Sequence, residues 1–244
     1  RPASPLRPDA SPTTPRTTRP YIDARATPRR FGVNNIAEIK RASPSKAPIR
    51  LDLYPATYAR SYENGGAAAL SVLTDEPFFK GRIADLKASR AAVSLPVLRK
   101  EFIVSTYQLY ETVLIGADAV LLIVRILDRF QLRDYIQLCR ELHLDPLVEI
   151  YSAPELEVAG WAGARLIGIN NRNLRSFETS TDNAINLGGM LDESMVAVAA
   201  SGIQSREDIL RARESGIFNF LIGESLVRSE RPDRFLKELL GRND

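Results

Sequence analysis

From Gly32 onward, short aliphatic or β-branched runs alternate with longer stretches in which apolar residues recur at helical spacing. The runs of strand length are 33–39, 68–73, 95–98, 119–124, 146–150, 166–169, 195–199 and 218–222. The stretch after Asp128 shows the helical pattern. Leu132, Tyr135, Ile136, Cys139, Leu142 and His143 are expected to share one face, with Asp128 as N-cap and Gln131 at the matching capping-box position. Gly66, Gly116, Gly163 and Gly216 each stand at a helix end just before a strand, where the left-handed cap conformation suits glycine.

This alternation requires parallel strands, and nearly continuous apolar strands imply burial on both faces. An open doubly wound sheet and a closed eight-stranded barrel both satisfy that. The closed (β/α)8 TIM barrel is the expected fold, because eight units fit into roughly 210 residues and no G-x-G-x-x-G phosphate fingerprint follows the first strand. The barrel is expected over residues 31–244.

Composition narrows the function classes. The chain has 244 residues, 44% hydrophobic and 26% charged, which excludes disorder throughout and collagen-like order. Its apolar runs are far shorter than the roughly 20 residues that cross a bilayer, and no apolar block near residue 1 resembles a signal peptide, so a cytoplasmic protein is expected. One cysteine and one histidine supply neither an internal disulfide nor a structural zinc site, and no metal is expected. The net charge of +3 is uneven. Residues 1–30 hold seven Arg, two Asp and seven of the fifteen prolines, leaving residues 31–244 at −2. We read 1–30 as a Pro/Arg-rich extension, mobile or draped on the surface, with neither nucleic acid nor membrane as partner.

In a barrel of this kind the chemistry lies where the strands end. Glu38 and Lys40 are two apart at the first strand's end and therefore share one side. The third strand runs into Arg99-Lys100-Glu101-Phe102, the fifth ends at Glu149, and the sixth at Asn170-Asn171-Arg172. Singly, each is an ordinary solvated loop residue. Jointly, two lysines and two glutamates at inward-capable positions are costly to bury unless they pair with one another or with a charged ligand, and such pairing tunes acid-base groups. Ser201-Gly202 and Gly223-Glu224-Ser225 follow the last two strands, where barrel loops commonly present backbone N–H groups to phosphate. A small phosphorylated substrate is the expected partner.

The runs 36–45 (IAEIKRASPS), 71–75 (SVLTD), 98–102 (LRKEF), 116–123 (GADAVLLI), 147–149 (LVE) and 168–172 (GINNR) resemble indole-3-glycerol phosphate synthase, over roughly residues 32–235. The resemblance implies a cofactor-free carboxy-lyase of tryptophan biosynthesis. Such an enzyme converts 1-(2-carboxyphenylamino)-1-deoxyribulose 5-phosphate into indole-3-glycerol phosphate, CO2 and water. A monomer is expected, with other pathway enzymes as candidate partners. It implies Lys100 as the catalytic acid, Glu38 as its support and Glu149 as the second catalytic group. It further implies Lys40, Ser43, Asn170, Arg172 and Ser201 as substrate contacts, Phe79 and Phe102 as aromatic packing around the substrate ring, and Gly202, Gly223 and Glu224 as phosphate holders.

Three positions depart from the family pattern. Ala200 precedes Ser201-Gly202-Ile203 where the family usually carries Glu, which implies reduced activity. Lys46-Ala47 replaces a usual Lys-Gly, and Glu101 stands where Asp is common. The Pro-rich segment 1–30 is also a poor match to the family's helical N-terminal extension. Two alternatives stay open: a phosphosugar-binding barrel without catalysis, natural or engineered, and another phosphate-binding barrel enzyme such as phosphoribosylanthranilate isomerase.

Overall fold

A computed structural model describes residues 33–43, 48–172 and 181–242. Segment 1–30 and the Lys46-Ala47 pair lie outside the described residues. Eight parallel strands form a closed barrel in sequential order, with β1 and β8 paired across the closure. They are β1 (Asn34–Ile39), β2 (Ala69–Leu73), β3 (Val97–Lys100), β4 (Ala119–Ile123), β5 (Asp145–Ile150), β6 (Leu166–Asn170), β7 (Val196–Ala200) and β8 (Asn219–Ile222). Around them lie α1 (Pro55–Asn64), α2 (Glu76–Phe79), α3 (Ile83–Ala92), α4 (Thr106–Leu114), α5 (Arg129–Glu141), α6 (Ala153–Trp161), α7 (Asp182–Gly188), α8 (Arg206–Glu214), α9 (Glu224–Arg228) and α10 (Pro232–Leu240).

The strands alternate between two cores. Ile36, Ala69, Leu98, Leu121, Leu147, Val198 and Leu221 fill the barrel interior, while their neighbours Ala37, Leu70, Val120, Val148, Ala199 and Phe220 belong to the larger core beneath the helices. All of these residues are buried, which is why the strands read as continuous apolar runs rather than alternating ones. Below the apolar interior, the Asn34 amide donates to Asn219 Oδ1 (3.0 Å), and the Asn219 amide donates to the Ala197 carbonyl (2.9 Å).

The four expected cap glycines all adopt the left-handed conformation, with φ of 86°, 86°, 81° and 83°. The repeat between α5 and β5 uses His143 instead, at φ 55°. His143 is therefore exposed and leaves the buried stripe expected for it, whereas Leu132, Tyr135, Ile136 and Cys139 are buried and Leu142 half-buried. Asp128 caps α5 as expected, accepting from the backbone N–H groups of Phe130 and Gln131. The Gln131 side chain does not return to complete a capping box: its amide donates to the Val104 carbonyl and the Tyr135 hydroxyl. A second difference concerns β3, which begins two residues later than expected. Pro96 has no N–H to give the ladder, so pairing starts after it and Lys100 becomes the last residue of the strand.

Candidate active site

The C-terminal ends of the strands surround a cavity of about 710 Å3, a size suited to a small ligand. Glu38, Lys40, Ser43, Phe79, Lys100, Phe102, Glu149, Asn170, Arg172, Ser201, Gly202, Gly223 and Glu224 all line it. The barrel thus brings every residue to which the resemblance gives a catalytic or binding role to one concave surface.

Strand parity and register place the charged centre. Glu38 on β1 pairs with Ser71 on β2, and Lys100 on β3 pairs with Leu73, two residues further along. Glu38 and Lys100 therefore both project inward from strands separated by one other. Lys40 Nζ lies 2.8 Å from Glu38 Oε1, and Lys100 Nζ lies 3.0 Å from Glu38 Oε2. The carboxylate is 3% exposed, so the two ammonium groups stand in for the water it has lost. Burial pushes the Glu38 carboxyl up, but Lys100 and Lys40 together outweigh it and hold the group at about 2, against an ordinary 4.5. Burial likewise pulls Lys100 down, and the neighbouring Glu38 and Glu149 carboxylates outweigh it, leaving the lysine above its ordinary 10.5. Lys100 is a fully protonated donor at neutral pH.

Gly223 has a role here that its sequence context does not disclose. A Cβ at this position would fall 2.5 Å from Glu38 Oε1, so the residue has to be glycine for the carboxylate to sit between the two lysines. Across the cavity, Glu149 Oε1 accepts from the Tyr151 hydroxyl (2.9 Å) and the Asn170 amide (3.1 Å). Asn170 Oδ1 accepts from the Arg172 backbone N–H (2.9 Å), which fixes which end of the amide donates. Arg172 reaches toward Glu224 (3.9 Å), and Glu224 also pairs with Arg228 (3.0 Å). The Glu224 carboxylate is thus occupied by two arginines, and its backbone is the part suited to an anion. Ser201 and Gly202 have φ of 71° and 80°, a pair of left-handed residues that turns the chain sharply back over the rim.

Phe102 sits between Phe78 and Phe79, with ring centroids 6.2 Å from each, as an apolar wall. Glu101 also lines the cavity, its carboxylate accepting from Thr74 Oγ1 (2.7 Å) and the Phe102 N–H (2.9 Å). Arg99 points away from the cavity to Glu111 on α4 (2.7 Å). Ala200 is buried with Val198 and Leu221 in the interior layer below the rim, and no side chain there supplies the carboxylate of the family pattern. Tyr151, Arg125, Phe78 and Arg228 also line the cavity and were not singled out in the sequence. For Tyr151 a signal existed, since it stands two residues after Glu149 and thus on the same side of β5.

The family described as indole-3-glycerol phosphate synthase matches residues 5–239. The chain belongs to this family. The match begins well before the first strand and so takes in most of the N-terminal segment. The indole-3-glycerol phosphate synthase of Desulfosudis oleivorans is 61% identical over 209 residues, covering 86% of this chain and 80% of that protein. That of Syntrophobacter fumaroxidans is 52% identical over 218 residues, covering 89% and 82%. Among solved structures, a 3-hexulose-6-phosphate synthase superposes with a TM-score of 0.68 at 12% identity, covering 86% of this chain and all of that one. That likeness shows the barrel fold alone. Membership of the synthase family makes the chain a carboxy-lyase of the tryptophan pathway by descent, and among the described residues no helix is long and apolar enough to cross a membrane.

Proposed function

We propose that this chain closes the indole ring of 1-(2-carboxyphenylamino)-1-deoxyribulose 5-phosphate, with Lys100 as acid and Glu149 as the second proton-transfer group. The observation that carries this reading is Lys100 held protonated by a buried Glu38 at 3.0 Å, at the rim of a cavity that also holds Glu149. As the aromatic carbon bearing the carboxylate attacks the ribulose carbonyl, a carbon–carbon bond forms and the carbonyl oxygen takes a proton from Lys100. Loss of CO2 leaves its bonding electrons in the ring and restores aromaticity. The new hydroxyl then leaves as water while the methylene carbon next to the nitrogen loses a proton, forming the carbon–carbon double bond of the indole, and Glu149 serves this dehydration.

The remaining assignments follow from charge and shape. Lys40 faces the substrate's anionic groups with Ser43, and Asn170 and Arg172 position its polar portions. Ser201 with the backbone at Gly202, Gly223 and Glu224 holds the phosphate, where glycine lets the chain approach closely and no side chain caps α9. Phe79 and Phe102 pack on the anthranilate ring. No residue in this set needs a cofactor. A second reading, a barrel that binds the phosphosugar without turning it over, is favoured by one observation, the methyl of Ala200 where the family usually has a carboxylate.

Lys100→Ala tests the assignment. Turnover should fall by about 10²- to 10⁴-fold, the range for a lost general acid, while circular dichroism stays that of the folded barrel because Lys40 still neutralises Glu38. Turnover at the unsubstituted rate would contradict it.

A further inference from the structure

Outside the Glu38 centre, a second network joins the loop after β4, the end of β5 and the start of α6. Tyr151 is held at three points. Its backbone N–H donates to Glu155 Oε2 (2.7 Å). Glu155 Oε1 in turn accepts from Arg125 Nε (3.0 Å) and Nη2 (2.8 Å), and the Arg125 guanidinium lies 4.2 Å from the centre of the Tyr151 ring. The third point is the hydroxyl. It accepts from the Asn170 amide (2.8 Å), whose orientation is set by the Arg172 N–H, and its single proton is therefore directed to Glu149 Oε1.

We propose that Tyr151 is a positioning residue for the synthase reaction, holding Glu149 by its hydroxyl in the orientation that proton transfer requires. The inference rests on the assignment of Glu149 to proton transfer. Both donors, Tyr151 and Asn170, converge on Oε1, so Oε2 is the oxygen left to exchange a proton with substrate. A hydrogen bond from a hydroxyl already pinned by its ring and backbone orients the carboxylate with little further loss of freedom. Burial, then Glu149 itself, pushes the Tyr151 phenol far up, so it stays a donor at any working pH.

Tyr151→Phe keeps the ring under Arg125 and removes only the hydroxyl.

The experiment compares kcat and KM for the full chain and Tyr151→Phe, with Glu149→Gln alongside. Without its hydroxyl donor Glu149 loses its fixed orientation, so kcat should fall about tenfold while KM stays within about twofold. Glu155→Gln, which loosens the clamp without entering the cavity, should move kcat in the same direction by about threefold. A packing role alone would leave kcat in place, because the ring and its contact with Arg125 remain. A kcat within about twofold in Tyr151→Phe would overturn the inference. If Glu149→Gln is inactive in that event, only the role of Tyr151 falls; if Glu149→Gln turns over normally, the role of Glu149 falls and this inference with it.

Discussion

Glu38 is the residue on which the site's electrostatics turn. A buried carboxylate between two ammonium groups fixes both lysines in place; removing Glu38 leaves two uncompensated ammonium groups, whereas removing one lysine leaves the other to neutralise the carboxylate. The pairing of Glu38 with Lys100 was implied by the family resemblance, and no spacing in the sequence shows it. Glu38 and Lys40 are visibly two apart, but Lys100 joins them only through strand parity and a register across β2, and the room for Glu38 depends on Gly223 from the far end of the chain. Ala200 is the opposite case, conspicuous in the sequence and unremarkable in the packing. A glutamate there starts in an apolar layer and extends toward a rim that carries Lys40, Lys100 and Arg172. A charge-assisted hydrogen bond is worth about 1.5–3 kcal/mol. Ala200→Glu should therefore raise kcat/KM by about 10- to 100-fold. Steady-state kinetics on the purified variant measure it, and an unchanged kcat/KM in a folded variant would mean that this carboxylate is not what limits the chain.

At the level of elements, periodicity carried most of the fold. β-branched runs marked the strands because both faces are buried, and four glycines marked the helix ends because a left-handed residue closes each one. The exceptions have local causes. Pro96 delays β3, and His143 takes the position that glycine holds in four other repeats, with a left-handed backbone and no burial to offset its strain. Left-handed geometry costs an L-residue on the order of 1–2 kcal/mol, less for polar side chains such as histidine. His143→Gly should accordingly stabilise the barrel by roughly 0.5–1 kcal/mol, raising Tm by a few degrees, with kcat and KM unchanged. A lower Tm would show that the imidazole contributes more than its backbone costs. The Glu155–Arg125–Tyr151 network was illegible for a different reason: its members come from a loop, a helix and a strand end, and no spacing connects them.

For the whole molecule, the same charged centre that serves chemistry links stability to pH. The folded Glu38 carboxyl titrates at about 2 and the free one near 4.5. Its stabilisation is therefore complete above about pH 4.5 and is lost as pH falls toward about 2, because the unfolded chain takes up the proton first. Denaturant unfolding should show stability falling more steeply across that window than in Glu38→Gln, and parallel curves would contradict the pairing. The synthase reading itself is tested most directly by incubating the full chain with 1-(2-carboxyphenylamino)-1-deoxyribulose 5-phosphate, following indole fluorescence and released CO2 together. Both products should appear in equal amounts, at a rate lowered by about 10²- to 10⁴-fold in Lys100→Ala; saturable binding of the substrate with neither product would contradict this and leave a phosphosugar-binding barrel.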